Sequence, residues 1–90
     1  MKYKYFTTKE FDHNYDKRVA KNEELVDDYL ESVGMFFESP ELVGDHALKG
    51  KMSGLRAFWI HDDYRVVYIT LREGYYLFLC LGTHKQVYKR

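Results

Sequence analysis

The chain has 90 residues, of which 46% are hydrophobic and 18% aromatic, a composition that fits one compact domain with an aromatic core and excludes a disordered tail. Its formal net charge is zero and it has one cysteine, so an intrachain disulfide is excluded and a strongly basic nucleic-acid-binding domain is not indicated. No stretch has the ~20 apolar residues of a membrane span, and the N-terminus lacks the apolar region of a secretory signal, so we expect no membrane association and a cytoplasmic location.

The zero net charge conceals an uneven distribution along the chain. Residues 1–45 contain six Lys or Arg against eleven Asp or Glu, whereas residues 46–90 contain eight against three. If the two halves form different surfaces, one surface is acidic and the other basic. The sequence therefore predicts that the second half carries a face suited to a polyanion.

The first half predicts an edge strand followed by two helices. Alternation with a period of two predicts a strand over Lys2–Phe6 with its lysines pointing outward. Thr7 and Glu10 have the spacing of a capping box, which predicts the start of the first helix, and Asn22 is a suitable N-cap for the second. One long helix over 8–38 remains the alternative, because neither Gly nor Pro marks the bend.

The second half consists of apolar segments separated by polar turns, the pattern of a small sheet. We predict a short strand within the loop at 48–52, longer strands at 55–60, 64–71 and 75–81, and a short last strand at 86–88. Cys80 lies in the third long strand and is expected to be a buried, reduced thiol. The whole chain, 1–90, is thus predicted to be a single α+β domain in which an N-terminal strand and a helical hairpin pack on a small twisted antiparallel sheet.

Side chains suited to acid–base and phosphate chemistry cluster where the predicted strands begin or end. Imidazole titrates near neutrality and can act as general base or general acid, whereas Lys and Arg stabilise charge on a phosphate. The candidates for catalysis are His46, His61, Asp63, His84 and Tyr88, and the candidates for substrate binding are Lys49, Lys51 and Arg56. These groups are sufficient for RNA cleavage without a metal ion.

The same residues also have structural interpretations. Asp62 and Asp63 form a turn signal, and His61 beside them can be hydrogen-bonded to these carboxylates. The basic residues can form a solvated face, and His13 is expected to be solvated on the charged side of the first helix. The four histidines contain no close ligand pair, so neither a metal site nor a cofactor is predicted.

Three motifs follow one another in the second half: H-A-L-K-G-K at 46–51, L-R-A-F-W-I-H-D-D-Y-R-V-V-Y at 55–68 and G-T-H-K-Q-V-Y at 82–88. In this order they resemble the RelE/ParE superfamily of bacterial toxins, in particular its YafQ-like branch. The resemblance implies a RelE-like fold, similar to that of microbial ribonucleases, and an mRNA interferase that cuts mRNA on the ribosome. It also implies a cognate antitoxin, through which any contact with DNA would be made.

The resemblance implies roles for individual residues. His46 and His84 would perform proton transfer, with Asp63 in support. Tyr88 would contact the substrate, and Arg56 would contact a phosphate.

The sequence departs from the YafQ-like pattern at Trp59, a position where a histidine is common in that branch. Two interpretations remain open. Either His61, two residues further along the same strand face, substitutes in part for that histidine, or Trp59 packs or stacks in its own right.

Two other functions fit the same fold. One is a non-catalytic ParE-like toxin that binds gyrase, and the other is a toxin remnant that retains only antitoxin binding. His46, His61 and His84 favour the nuclease, because the gyrase-inhibiting relatives lack catalytic histidines.

Overall fold

The structure, a computed structural model, describes residues 4–61 and 63–88. Five strands and three α-helices follow one another as β1 (Lys4–Thr7), α1 (Lys9–Arg18), α2 (Glu23–Glu38), β2 (His46–Ala47), β3 (Arg56–Trp59), β4 (Tyr64–Arg72), β5 (Tyr75–Thr83) and α3 (His84–Tyr88), with 3₁₀ turns at Pro40–Val43 and Gly50–Met52. The predicted α+β class is confirmed. Within the described ranges, no helix combines the length and the apolar character needed to cross a membrane.

The strands form one sheet in the order β1-β5-β4-β3-β2. The pairings among β2, β3, β4 and β5 are antiparallel, as predicted. β1 lies at the edge and pairs with β5 in parallel, from Lys4 opposite Tyr75 to Thr7 opposite Phe78, so the sheet is mixed. Parallel strands need a long crossover connection, and the chain between β1 and β5 supplies one that includes the helical hairpin.

The hairpin consists of two helices, so the alternative of one long helix is wrong. Asn22 caps α2 as predicted, because its side chain accepts a hydrogen bond from the Leu25 N–H at 3.2 Å. The N-cap of α1 is Thr8, whose hydroxyl accepts from the Phe11 N–H at 3.0 Å. The predicted cap, Thr7, donates instead to Asp12 at 2.7 Å, so the capping prediction was wrong by one residue.

Both faces of the sheet are covered. The helices pack on one face over an aromatic core in which Phe36 stacks on Phe58 with ring centroids 4.6 Å apart. A smaller cluster on the opposite face contains Val67, Cys80 and Val87. Cys80 is buried, as predicted, and burial raises the pKa of its thiol to about 11.

Side chains of α1 continue the hydrogen bonding of β5 where β1 ends. Beyond Phe78, the last β5 residue paired with β1, the hydroxyl of Thr8 donates to the Leu79 carbonyl at 2.7 Å. Asn14 Oδ1 then accepts from the Leu81 N–H at 3.0 Å, and Arg18 donates to the Leu81 carbonyl at 2.7 Å. These bonds fix the end of β5, from which the candidate site begins.

Replacing Asn14 by Ala is expected to lower the free energy of unfolding by about 1–3 kcal/mol, because the buried Leu81 N–H loses its acceptor. Urea unfolding followed by circular dichroism measures this loss. His13→Ala is the matched control, since His13 is exposed at the preceding position of α1 and its removal should change stability by no more than about 0.5 kcal/mol. Equal stabilities of the two variants would contradict the expected role of Asn14.

Two predicted strands in the second half are wrong. The strand expected at 48–52 lies instead at His46–Ala47, because residues 49–53 hydrogen-bond locally, with the Met52 N–H donating to the Lys49 carbonyl at 3.3 Å. The strand expected at 86–88 is the helix α3. Thr83 and Gln86 cap it reciprocally: the Thr83 N–H donates to Gln86 Oε1 at 2.8 Å, and the Gln86 N–H donates to the Thr83 hydroxyl at 3.3 Å. This capping box is visible in the sequence T-H-K-Q.

Candidate active site

A cleft of about 530 Å³ opens on the face of the sheet that faces away from α1 and α2. Its wall contains five of the residues that the sequence analysis selected: His46, Lys49, Lys51, His84 and Tyr88. Ala47, Leu48 and Met52 complete its lining. Residues from β2, from the loop after it and from α3, which are distant in sequence, therefore share one site.

His46 is held in a defined orientation at the start of β2. Its Nδ1 lies 2.9 Å from the carbonyl oxygen of Gly44. A carbonyl only accepts hydrogen bonds, so Nδ1 carries the proton and donates it. In the neutral ring, Nε2 then keeps its lone pair and can accept a proton.

His84 is fixed by backbone bonds at the start of α3. Its N–H donates to the Asp63 carbonyl at 2.9 Å, and its ring meets the Tyr88 ring edge-on, with centroids 4.5 Å apart and an interplanar angle of 82°. Nearby, a Cβ atom at Gly82 would lie 2.5 Å from Arg18 Nη1 and 2.6 Å from Gln86 Oε1, so the ends of both side chains pack against this glycine. The imidazole is thereby set at the rim of the cleft, where it is exposed.

The hydroxyl of Tyr88 is buried, and no hydrogen-bond partner for it is found among the described residues. Burial raises the pKa of Tyr88, and the nearby Arg65 guanidinium opposes this shift. Arg65 lies on β4 opposite Trp59 of β3 and Gly82 of β5. Arg65 is not among the residues predicted from the sequence, although strand alternation places it on the same face as Val67.

Arg56 lies outside the cleft. Its guanidinium donates to both carboxylate oxygens of Asp45, with the shortest distance, 2.7 Å, from Nη2 to Oδ2. Asp45 also accepts the hydroxyl of Tyr68 at 2.5 Å. The bond to Asp45 raises the pKa of Arg56, while burial is the main cause of the raised pKa of Tyr68. Arg56 thus ties β3 to the residue that precedes His46.

His61 and Asp63 are also placed apart from the cleft wall. His61 Nδ1 lies 3.0 Å from Asp28 Oδ2 on α2, so the turn after β3 directs this side chain toward the helices and away from His46 and His84. Asp63 is exposed and contributes its backbone carbonyl to the placement of His84. His13 is exposed on α1, as expected.

Several solved structures share this architecture. YafQ in the DinJ–YafQ toxin–antitoxin complex of Escherichia coli is 17% identical, with a TM-score of 0.69 over 98% of this chain and 99% of that one. A YoeB/ParE toxin from Agrobacterium tumefaciens is 20% identical, with a TM-score of 0.74 over 93% and 99% of the two chains. The chain has the RelE/ParE toxin fold. A conserved hypothetical protein from Helicobacter pylori is 29% identical, with a TM-score of 0.61 over 92% and 96%.

The resemblance to RelE/ParE toxins that the motifs predict is therefore confirmed by the fold, and YafQ is among the structures that share it. No protein-family model matches the chain, and no curated protein sequence matches it significantly. Within the RelE/ParE toxin fold of this protein, the described residues concentrate two histidines, two lysines and a tyrosine in one cleft.

Proposed function

We propose that this protein is the toxin of a type II toxin–antitoxin system and an endoribonuclease that cuts mRNA on the ribosome. The observation that carries the proposal is the cleft, in which His46 and His84 lie with Lys49 and Lys51 on a toxin fold. Phosphodiester cleavage by a ribose hydroxyl requires two groups that transfer protons, with cations beside them.

The geometry of His46 suits it to act as the base. Its Nε2, left with a lone pair by the bond from Nδ1 to Gly44, accepts the proton of the ribose 2′-hydroxyl. The 2′-oxygen attacks phosphorus, the bond from phosphorus to the 5′-oxygen breaks, and His84 donates a proton to that leaving oxygen. The products are a 2′,3′-cyclic phosphate and a 5′-hydroxyl end, and none of these steps requires a metal ion.

The remaining side chains stabilise and orient the substrate. Lys49 and Lys51, both exposed on the cleft, stabilise the charge that develops on the phosphate. Tyr88, whose hydroxyl is buried, contacts the substrate through its ring by stacking on a base. Arg65, which lies close to Tyr88, supplies the guanidinium that the sequence analysis had expected from Arg56. Asp63 supports the reaction by holding His84 through its backbone carbonyl.

The proposed partner is a cognate antitoxin, because YafQ, which shares the fold, was crystallised in a toxin–antitoxin complex with DinJ. The antitoxin inhibits the protein until it is removed, and the free toxin then acts in the cytoplasm on ribosomes that carry mRNA. An adjacent reading frame that encodes a small DNA-binding protein would support this assignment.

The proposed function predicts that the protein, added to purified ribosomes engaged on an mRNA, cleaves the mRNA and leaves 2′,3′-cyclic phosphate ends. Primer extension locates the cuts, and a cyclic phosphate is identified when phosphatase makes the ends ligatable only after acid has opened the ring. A His46→Ala/His84→Ala double variant with an unchanged circular dichroism spectrum is the control.

Expression of the chain alone in a bacterium separates the alternatives. Growth arrest with loss of mRNA supports the nuclease. Arrest with DNA damage and intact mRNA would contradict it in favour of gyrase binding, and normal growth with intact mRNA would favour a remnant that only binds an antitoxin.

A further inference from the structure

We infer that a second cleft, centred on Trp59, binds one unpaired base of the RNA by stacking it on the indole ring. This inference rests on the proposed function and adds a nucleotide-binding subsite next to the site of cleavage. The cleft has a volume of about 380 Å³, and its walls include Met35, Leu42, Trp59, His61 and Arg65.

The indole of Trp59 packs against Gly44 and remains partly exposed. Gly44 has a φ of 67°, and a Cβ atom at this position would lie 2.8 Å from two atoms of the Trp59 ring. Only glycine combines this positive φ with so close an approach. The ring is thus backed by bare backbone, yet 49% of the Trp59 surface is exposed. A flat, fixed and accessible ring is a platform for another flat ring.

Charge in the cleft favours a polyanion. The Arg65 guanidinium carbon lies 5.7 Å from the centroid of the Trp59 ring, a cation–π distance. Among the described residues that line the cleft, Arg65 is the cation and none is a carboxylate, while the Asp28 carboxylate lies outside the lining, 3.0 Å from His61 Nδ1. An arginine beside an exposed tryptophan is the combination by which single-stranded RNA is held without base pairing.

Arg65 links the second cleft to the proposed active site. Arg65 lines the Trp59 cleft and also lies close to Tyr88, a wall residue of the first cleft. Trp59 shares its sheet face with Ala57, whose partner across the strands is His46. A strand of RNA with its phosphate at His46 and His84 therefore has a neighbouring nucleotide within reach of the indole.

Trp59 is the only tryptophan in the sequence, so its fluorescence reports directly on the subsite. Titration of the full chain with hexadeoxyadenylate, which lacks the attacking 2′-hydroxyl and is not cleaved, is expected to quench this fluorescence by base stacking. An abasic oligonucleotide of equal length and charge should quench far less. Equal quenching by the two oligonucleotides, or none by either, would overturn the subsite.

Variants test the same subsite by affinity, with the anisotropy of labelled hexadeoxyadenylate as the readout. Trp59→Ala is expected to weaken binding about tenfold, and Trp59→Phe, which keeps a ring, by less. Phe6→Ala is the matched control: Phe6 is an aromatic residue on β1 with the same exposure as Trp59, 49%, and its removal should leave binding unchanged.

These outcomes are separable from failure of the proposed function, because the probe cannot react. Quenching by a protein that does not cleave mRNA on ribosomes would support the subsite while contradicting the nuclease. Cleavage without base-dependent quenching would support the nuclease and contradict the subsite. If Trp59→Ala leaves oligonucleotide binding unchanged but weakens binding to the protein encoded by the adjacent reading frame, the cleft belongs to a protein partner and the inference is wrong.

Discussion

Replacing His84 by Ala is expected to slow mRNA cleavage on ribosomes by about 100- to 10,000-fold, because the leaving 5′-oxygen loses its proton donor. His46→Ala should cause a loss of the same order through removal of the base. Neither substitution touches the backbone bond from the residue-84 N–H to the Asp63 carbonyl, so both variants should keep the fold. Single-turnover cleavage at saturating ribosome concentration measures the chemical step.

Alanine variants of the four histidines in the chain form a control series. His13→Ala should cleave at the parent rate, because His13 is exposed on α1 and lines neither cleft. His61→Ala should lose much less than His84→Ala, because His61 contacts Asp28 outside the cleft that contains His46 and His84. Parent-like cleavage by His84→Ala would exclude His84 as the proton donor, and a loss in His61→Ala as large as in His46→Ala would place the acid–base pair elsewhere.

The set of residues in the cleft could be predicted from sequence because it depends on local order. His46, Lys49 and Lys51 lie within six residues, and His84 and Tyr88 lie within five, so the members of each group are close because they are close in sequence. The antiparallel order of the strands was predicted, but the register that brings the two groups together, of β2 on β3, β3 on β4 and β4 on β5, was not.

The residues whose placement differed from expectation depend on partners far away in sequence. Arg56 is paired with Asp45 rather than open to substrate, and His61 is drawn to Asp28 of a helix. Strand alternation predicts which face of the sheet a residue lies on but not which distant residue it contacts, and for His61 it fails altogether because β3 ends at Trp59. For the same reason, strand alternation could not decide between the two interpretations of Trp59. That decision depends on the backbone of Gly44, which packs against the indole ring.

The fold shows the same division between local and distant signals. The start of α2 after Asn22 and the three long strands of the second half follow from capping and alternation, both of which are local. β1 pairs with β5 in parallel, and the side chains of Asn14 and Arg18 hydrogen-bond the backbone of Leu81. These contacts join residues that are more than sixty positions apart in the sequence. No pattern within one segment encodes them.

The second large effect is expected at Asp45, an acidic residue whose side chain is only 12% exposed. Asp45→Ala leaves the buried Tyr68 hydroxyl without its acceptor and the Arg56 guanidinium without its counterion. We expect the free energy of unfolding to fall by about 2–3 kcal/mol. This loss is at the lower end of the cost of breaking a buried ion pair, because the Arg56 side chain is partly solvated. Urea unfolding measures the loss.

Asp45→Asn and Asp27→Ala complete this test. The asparagine keeps an oxygen for Tyr68 and should lose less stability than Asp45→Ala, while Asp27→Ala removes the same charge from an exposed position on α2 and should change stability by no more than about 0.5 kcal/mol. Because Asp45 directly precedes His46, the folded Asp45→Ala protein should also cleave mRNA more slowly, through misplacement of the base. If Asp45→Ala is as stable and as active as Asp27→Ala, the contacts among Asp45, Arg56 and Tyr68 neither stabilise the fold nor position His46.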